Sequence, residues 1–310
     1  MPTTPIARTL GDGRSLVTLG AIRGHRFPAV RLSKRRARGR RRLSRSFDRA
    51  HALAERGFVR KLGGFFDDVT RSIDKRLKAA GTTNVSASKL FDPADFRIAF
   101  AKAITPHIAR GLSAGITFER DWIRKSGLSS QQAFAPLIAQ REELPLPPSF
   151  QVDLTEEQLA ALKKFLKARQ VGLWSSVGKT TSLQLRQAIA AGLKDGDNIK
   201  QLTERVNKRM RTYKGWQAKR VARTETTGAM NAAAQIERDE IGIKKKEWVT
   251  TLDERARASH VAVDGQTRLN ANAYSVGGAA LMHPADASLG APASETVNCR
   301  CVSVASFDDS

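Results

Sequence analysis

Apolar residues recur at helical spacing from Phe47 onward: Phe47, Ala50, Leu53, Ala54, Phe58, Val59 and Leu62, then Phe65, Phe66, Val69, Ile73 and Leu77. Residues three and four apart share one helix face, so this run predicts amphipathic helix with a single buried stripe. GTTNVSAS over 81–88 reads as a polar loop. Asp92-Pro93 then opens another helix, with proline where a missing N–H costs nothing, and Phe96, Ile98, Ala99 and Phe100 carry it towards Gly111. Helical spacing returns at Thr155-Glu-Glu-Gln158, a capping box, and predicts helices to about Gln170, over 180–193, over 199–211 and over 214–241. Along the last of these lie Trp216, Val221, Ala222, Ala229, Ala232, Ala233 and Ile236, mostly small residues that let helices approach closely. After Gly242 the period shortens to two. KEWVTT (246–251) and CRCVSVAS (299–306) alternate as half-buried strands do.

Leu144-Pro-Leu-Pro-Pro148 breaks the pattern, because consecutive prolines remove backbone donors and hold the chain extended. A Pro-rich hinge at 145–150 is therefore expected between a helical unit at 46–144 and a second unit at 151–306. The second unit comprises helices over 155–241 and a β-containing cap over 247–306. The expected fold class is α+β: a mostly helical body with a small C-terminal β-containing cap and a disordered basic N-terminal arm over 1–45.

The arm follows from charge. The 310 residues hold 53 Lys+Arg against 30 Asp+Glu, a net charge of +23, and residues 1–61 hold 17 of the bases with three acids, Asp12, Asp48 and Glu55. Arg31, Lys34, Arg35, Arg36, Arg38, Arg40, Arg41, Arg42 and Arg45 follow one another with no acid between them. Such density repels itself and is expected to stay extended until a polyanion neutralises it. Sequence-nonspecific DNA is the expected partner, since each neutralised phosphate releases counterions; a solvated tail, a membrane surface or an acidic protein are the alternatives. Phe27 and Phe47 are the aromatics nearby, so base stacking is not indicated. No stretch approaches the roughly 18 apolar residues of a spanning helix and the start lacks a signal peptide's apolar segment, so a cytosolic product is expected.

Gly178-Lys179-Thr180 looks like the end of a phosphate loop, but Gly172 leaves five intervening residues instead of four, and the preceding segment reads as helix. A helix-to-helix turn suffices there. Cys299 and Cys301 are the two cysteines, too few for a disulfide framework. On a strand, residues two apart share a face, so both thiolates could converge on one soft cation, with His260 and His283 as the nearest candidates to complete a zinc site. The favoured reading is thiols packed on a small β core, with no cofactor. In that reading Trp248 and the Cys299 strand lie against Ala229, Ala232 and Ala233, and Glu225 accepts a hydrogen bond from the cap. Asp253, Arg255, His260 and Asp264 could be an acid/base cluster, but no nucleophile or substrate pocket accompanies them. No catalytic residue is expected.

The order of the C-terminal residues carries more. Ala222-Arg223-Thr224-Glu225 with Asn231 and Ala232, then Trp248, Thr250, Asp253, Arg255, His260, Asp264-Gly265, Pro284 and Cys299-Arg300-Cys301, resembles the Mu-F-like minor head proteins of tailed phages over roughly residues 180 to 303. His283 stands where that pattern has a glycine or small polar residue. The resemblance implies a non-catalytic structural protein of the virion, held inside the head near the portal and present in the host cytoplasm during assembly. It implies a role in head assembly, packaging or ejection, with portal or capsid protein as partner and with Arg223, Thr224, Glu225, Trp248, Asp253, Arg255, His260, Asp264, Gly265, Cys299, Arg300 and Cys301 as structural motif residues. No membrane or small-molecule partner is implied. Two other readings stay open: a metal-dependent or nuclease-like effector built on the same module, and a free sequence-nonspecific nucleic-acid-binding protein.

Overall fold

In the computed structural model of the chain the described residues are 7–9, 14–17, 30–80, 86–126, 154–251, 253 and 255–307, with side chains at 39 and from 42 onward. The expected hinge at 145–150 lies outside them. Three short strands, β1 (Ala7–Thr9), β2 (Arg14–Val17) and β3 (Val30–Ser33), pair antiparallel in that order. Helix α1 then runs from Lys34 to Ala80. The basic run is thus not the extended chain that charge density predicts: Arg31 lies in β3, and Lys34 to Arg45 are the first turns of α1. Arg, Lys, Ala and Leu are good helix formers, and here they prolong a helix whose stripe is already anchored by buried Leu43, Phe47, Phe58 and Leu62. Leu53 and Ile98, expected on buried stripes, are both 69% exposed. Each follows a buried residue, His51 or Phe96, by two positions, which is about 200° round the helix.

After the short α2 (Ala87–Leu90), helix α3 extends from Pro93 through Gly111 to Lys125. Helix α4 (Glu156–Leu173) begins at the expected capping box, in which the Gln158 amide donates to Thr155 Oγ1 and the Thr155 amide to Gln158 Oε1, both at 3.1 Å. It passes through one π-helical turn, Trp174–Gly178, straight into α5 (Lys179–Lys194). Gly178-Lys179-Thr180 therefore sits within continuous helix, and no turn separates α4 from α5. A second capping box, Asn198 with Gln201, opens α6 (Ile199–Thr212), which meets α7 (Ala218–Glu240) across a kink within Tyr213–Gln217, where Gly215 leaves helical geometry at φ −85° and ψ −115°.

The chain divides into two units that are not consecutive pieces of sequence: one from 1–52, 114–136 and 227–310, the other from 53–113 and 137–226. Helices α1, α3 and α7 are each shared between them. The all-helical unit has an aromatic core in which Phe65 meets Phe96 and Phe100, and Phe66 meets Tyr213, with ring centroids 5.3 to 5.7 Å apart. Burying these rings against one another is its main source of stability. Half-buried ion pairs surround that core: Arg223 with Glu55 at 3.0 Å, and Arg169 with Glu225.

In the other unit β4 (Lys245–Val249) lies between β5 (Thr267–Leu269) and β8 (Val302–Ser306), antiparallel to both, with Val249 opposite Val302. A hairpin of β6 (Tyr274–Val276) and β7 (Ala279–Leu281) turns at Gly277-Gly278, both at positive φ, as tight hairpin turns require. Short helices α8 (Ala258–Ala262) and α9 (Ala293–Thr296) complete the cap. Successive strand residues face opposite ways, so β4 divides two clusters. Trp248 joins Val263, Tyr274, Val276, Leu281, Cys299 and Cys301, while Val249 joins Val302, Val304, Met230, Phe118, Phe47 and Leu43. It is Val249, with Val302 and Val304 of the Cys299 strand, that meets the helices, whereas Trp248, expected against the alanines of α7, packs within the cap. A reciprocal double ion pair ties α3 to α7: Arg238 with Glu119 at 3.0 Å and Arg120 with Glu237 at 2.7 Å.

Candidate functional site

Helix α7 presents Thr227, Asn231, Gln235 and Arg238, three or four residues apart and all buried, to the backbone of the cap. Thr227 Oγ1 donates to Cys299 O (2.7 Å), and Asn231 Nδ2 donates to Cys301 O (3.1 Å) while Asn231 Oδ1 accepts from the Ser303 amide (2.8 Å). Gln235 Nε2 reaches Asn270 O (2.7 Å) and Arg238 Nη1 reaches Ser303 O (3.0 Å). A hydroxyl has one proton, and Thr227 gives it to Cys299, so His51 Nε2, 2.9 Å from Thr227 Oγ1, is the donor in that pair. This polar ladder holds the Cys299-Arg300-Cys301 backbone in place. Asn231 belongs to the sequence motif; Thr227, Gln235 and Arg238 do not stand out in the sequence, because a polar residue every fourth position reads as a solvated face.

Arg223, Thr224 and Glu225 take no part in the ladder. Arg223 pairs with Glu55, Thr224 Oγ1 donates to Arg220 O, and Glu225 accepts two hydrogen bonds from Arg169, not from the cap. Glu225 precedes Thr227 by two positions and so points to another side of α7.

Within the cap, Trp248 Nε1 donates to Thr250 Oγ1 (3.0 Å), which donates to His260 O (2.8 Å), and the Thr250 amide donates to Asp264 Oδ1 (2.7 Å). Gly265, at positive φ, returns its N–H to Trp248 O at 2.8 Å. Asp253 lies in the fork of Arg300, with bonds of 2.6 and 2.5 Å, and accepts the Arg255 amide, while the Arg255 side chain is exposed. Among the described residues neither aspartate is hydrogen-bonded to His260: Asp264 holds the Thr250 amide, and Asp253 holds Arg300 and the Arg255 amide.

His260 faces the cysteines. Its Nδ1 lies 3.3 Å from Cys301 Sγ and 3.7 Å from Cys299 Sγ, and the three donor atoms lie within 4.8 Å of one another, all on buried residues. On the other side of the ring Nε2 is 3.2 Å from Glu295 Oε2, a carboxylate that also accepts from Ser259 Oγ at 2.7 Å. The Trp248 ring packs edge-on against the imidazole, 5.5 Å between centroids. Strand β8 begins only at Val302, so the cysteines converge for a different reason from the expected pleat. Val297 leaves α9 in extended conformation, and Asn298, left-handed at φ 59°, completes a turn in which the Cys299 amide donates to Thr296 O at 3.4 Å. Burial raises the Cys301 thiol well above the usual range. Burial opposes ionisation of Cys299 too, but hydrogen bonds from Cys301 and His260 outweigh it and hold Cys299 well below that range.

His283, the other proposed ligand, is not in this group. Its Nδ1 is 3.1 Å from Pro284 O, burial lowers its pKa, and the neighbouring Asp286 accepts the Met282 and Ser288 amides. Lys246, also buried, is brought down to about 7 by burial and then by Arg238; its Nζ donates to Met282 O and Gln235 Oε1. Of the basic run, Arg42 and Arg45 are exposed on α1, and the side chains of Arg31, Lys34, Arg35, Arg36, Arg38, Arg40 and Arg41 lie outside those described. No helix among the described residues is long and apolar enough to cross a membrane.

Residues 183–304, which contain the ladder, the ion pair and the His-Cys-Cys group, match the family model described as Phage Mu protein F like protein. This module of the chain is similar to the Mu F-like proteins, over about two fifths of its length. The Minor head protein GP7 of Bacillus phage SPP1 is 30% identical over 156 residues, 48% of this chain and 46% of that protein. An NAD(+)--arginine ADP-ribosyltransferase, EFV, of Enterococcus faecalis is 31% identical over 125 residues, 39% of this chain and 25% of that protein. An uncharacterized protein of Haemophilus influenzae is 35% identical over 89 residues, 29% of this chain and 17% of that protein. The chain spans less than half the length of these relatives, and no solved structure matches it. Most polar residues of the Mu F-like motif, from Asn231 to Arg300, hold backbone or one another.

Proposed function

We propose that the chain is a minor head protein of a tailed phage, seated inside the head near the portal, where its Mu F-like module meets portal or capsid protein. In this reading its basic N-terminal segment lies on packaged DNA and the protein acts in head assembly, packaging or ejection. The observation that carries the reading is the Mu F-like match over 183–304, supported by the similarity to a minor head protein. Two features favour a structural over a catalytic role. The motif's polar groups are occupied in holding the cap, and the cavity of about 350 Å³ among Phe65, Leu90, Phe91 and Phe96 is lined by none of them. The similarity to the ADP-ribosyltransferase spans a quarter of that enzyme, and transferase activity is not carried over with it.

The test is the protein composition of purified particles with cross-linking. The chain is expected at low copy, linked to portal protein, and its absence from particles overturns the reading. For DNA, about six to nine phosphate contacts from these residues give a log–log salt dependence with a slope of about −5 to −8. Replacing the nine basic residues of 31–45 by Gln is expected to flatten that slope; an unchanged slope places the DNA contact elsewhere. Gln is preferred to deletion because Leu43 belongs to a buried cluster.

A further inference from the structure

From the arrangement of Cys299, Cys301 and His260 we infer that the cap of the Mu F-like module binds one zinc ion, held by Cys299 Sγ, Cys301 Sγ and His260 Nδ1.

Distances carry the inference. With Zn–S of about 2.3 Å, Zn–N of about 2.0–2.1 Å and tetrahedral angles, a sulfur and a nitrogen on the same ion stand about 3.6 Å apart. The two sulfur-to-Nδ1 distances, 3.3 and 3.7 Å, lie on either side of that value. Two packed thiols beside an ordinary core histidine need no such convergence of all three donor atoms.

The surroundings agree. Histidine ligands to zinc usually donate their second ring N–H to a carboxylate, which fixes the tautomer and the ring orientation. The Glu295 carboxylate is the charged group on that side of the ring, 3.2 Å from His260 Nε2 without hydrogen-bond geometry and itself held by Ser259. With the proton on Nε2, the Nδ1 lone pair is directed at the two sulfurs. Two thiolates and a neutral imidazole carry a charge of −2, so a dication leaves a buried group without net charge. Soft sulfur with imidazole selects zinc over magnesium or calcium. The three donors come from α8 and from the segment between α9 and β8, so the ion would join two pieces of a cap that has little apolar surface of its own. With three protein donors, the fourth position is left to water or another small ligand.

The experiment uses the full chain, purified reduced and without a metal-affinity step. Elemental analysis is expected to find one zinc per chain. Cobalt exchanged into the site is expected to give the intense visible bands of a tetrahedral ion and a thiolate charge-transfer band. Both thiols should be blocked from a thiol reagent until chelator is added. Glu295→Gln leaves the three donors intact and is expected to retain one equivalent of metal at about 10- to 100-fold weaker affinity. C299S, C301S and H260Q should each abolish the cobalt spectrum. A reduced, folded wild-type chain that carries no zinc and gives no tetrahedral cobalt spectrum on titration overturns the inference, as does a spectrum that survives C299S and C301S. The wild-type readout does not depend on any variant folding, and it is independent of whether the chain is found in particles.

Discussion

The Asp253 carboxylate shows what one motif residue contributes. Partial burial raises its pKa, but the hydrogen bonds and charge of Arg300 outweigh that and hold it below the usual aspartate value. A carboxylate with a depressed folded pKa adds stability above its unfolded pKa, near 3.9, and loses it as pH falls through the folded value. The pair is about a third exposed on the aspartate side, so solvent screening limits its worth to about 0.5–1 kcal/mol. Asp253→Asn should therefore lower the melting temperature at pH 7 by a few degrees at most, and the gap from wild type should narrow as pH falls below the unfolded value. Equal melting temperatures at pH 7 would mean that the ion pair is energetically neutral. Asp253, Arg300 and His260 were legible as motif residues in the sequence, and His260 was named beside the cysteines together with His283, but neither the choice between the two histidines nor the pairing of Asp253 with Arg300 could be read there. Arg300 lies 47 residues from Asp253 and Cys301 lies 41 from His260, and no spacing rule connects positions so far apart.

At the scale of elements, helix type and rough extent followed from the apolar spacing, and both the Thr155 cap and the strand at 246–251 were found close to their predicted places. Continuity did not follow. The glycines at 172–178 read as a turn, yet Leu173 to Lys179 remain helical through one π turn, because Gly costs a helix only about 1 kcal/mol when its neighbours are packed. The crossing of α3 and α7 was equally hidden. A Cβ on Gly115 would fall 2.2 Å from Met230 O and 2.7 Å from Met230 Cα, backbone atoms that cannot swing aside. Gly115→Ala is expected to destabilise by about 2–4 kcal/mol in denaturant unfolding. Gly63, in the interior of α1 with open space around it, is the control: Gly63→Ala should be neutral or stabilise by up to about 1 kcal/mol. Similar losses at both positions would refute the close crossing.

For the molecule as a whole, two buried histidines contribute to the response to mild acid. Burial, then Arg110, Lys61 and Arg60, bring His107 down to about 4, and burial lowers His283 against the opposing charge of Asp286. In both the folded pKa lies below the unfolded value near 6.5, so the unfolded chain binds more protons in the interval between. Their contribution is complete above pH 6.5 and is lost as pH falls from there towards 4. Denaturant midpoints should decline from pH 7 to pH 5, and His107→Gln should make that decline shallower. A midpoint that stays flat or rises over this range would contradict the assignment.

The sequence alone determined the amphipathic helices, the presence of strands near 246–251 and 299–306, although the second is buried on both faces, the concentration of positive charge before residue 62 and the ordered residues of the Mu F-like module. Each is written in local periodicity, local charge or short spacing. Only the tertiary structure decided that the basic run continues α1, that Thr227, Gln235 and Arg238 turn inward to hold the cap, and that His260, and not His283, meets the two cysteines. Those outcomes depend on which faces of distant elements are packed together, and on one left-handed residue, Asn298, at the turn before Cys299. Periodicity places a side chain on a face of its own helix or strand; what lies opposite that face is set by the packing of the chain.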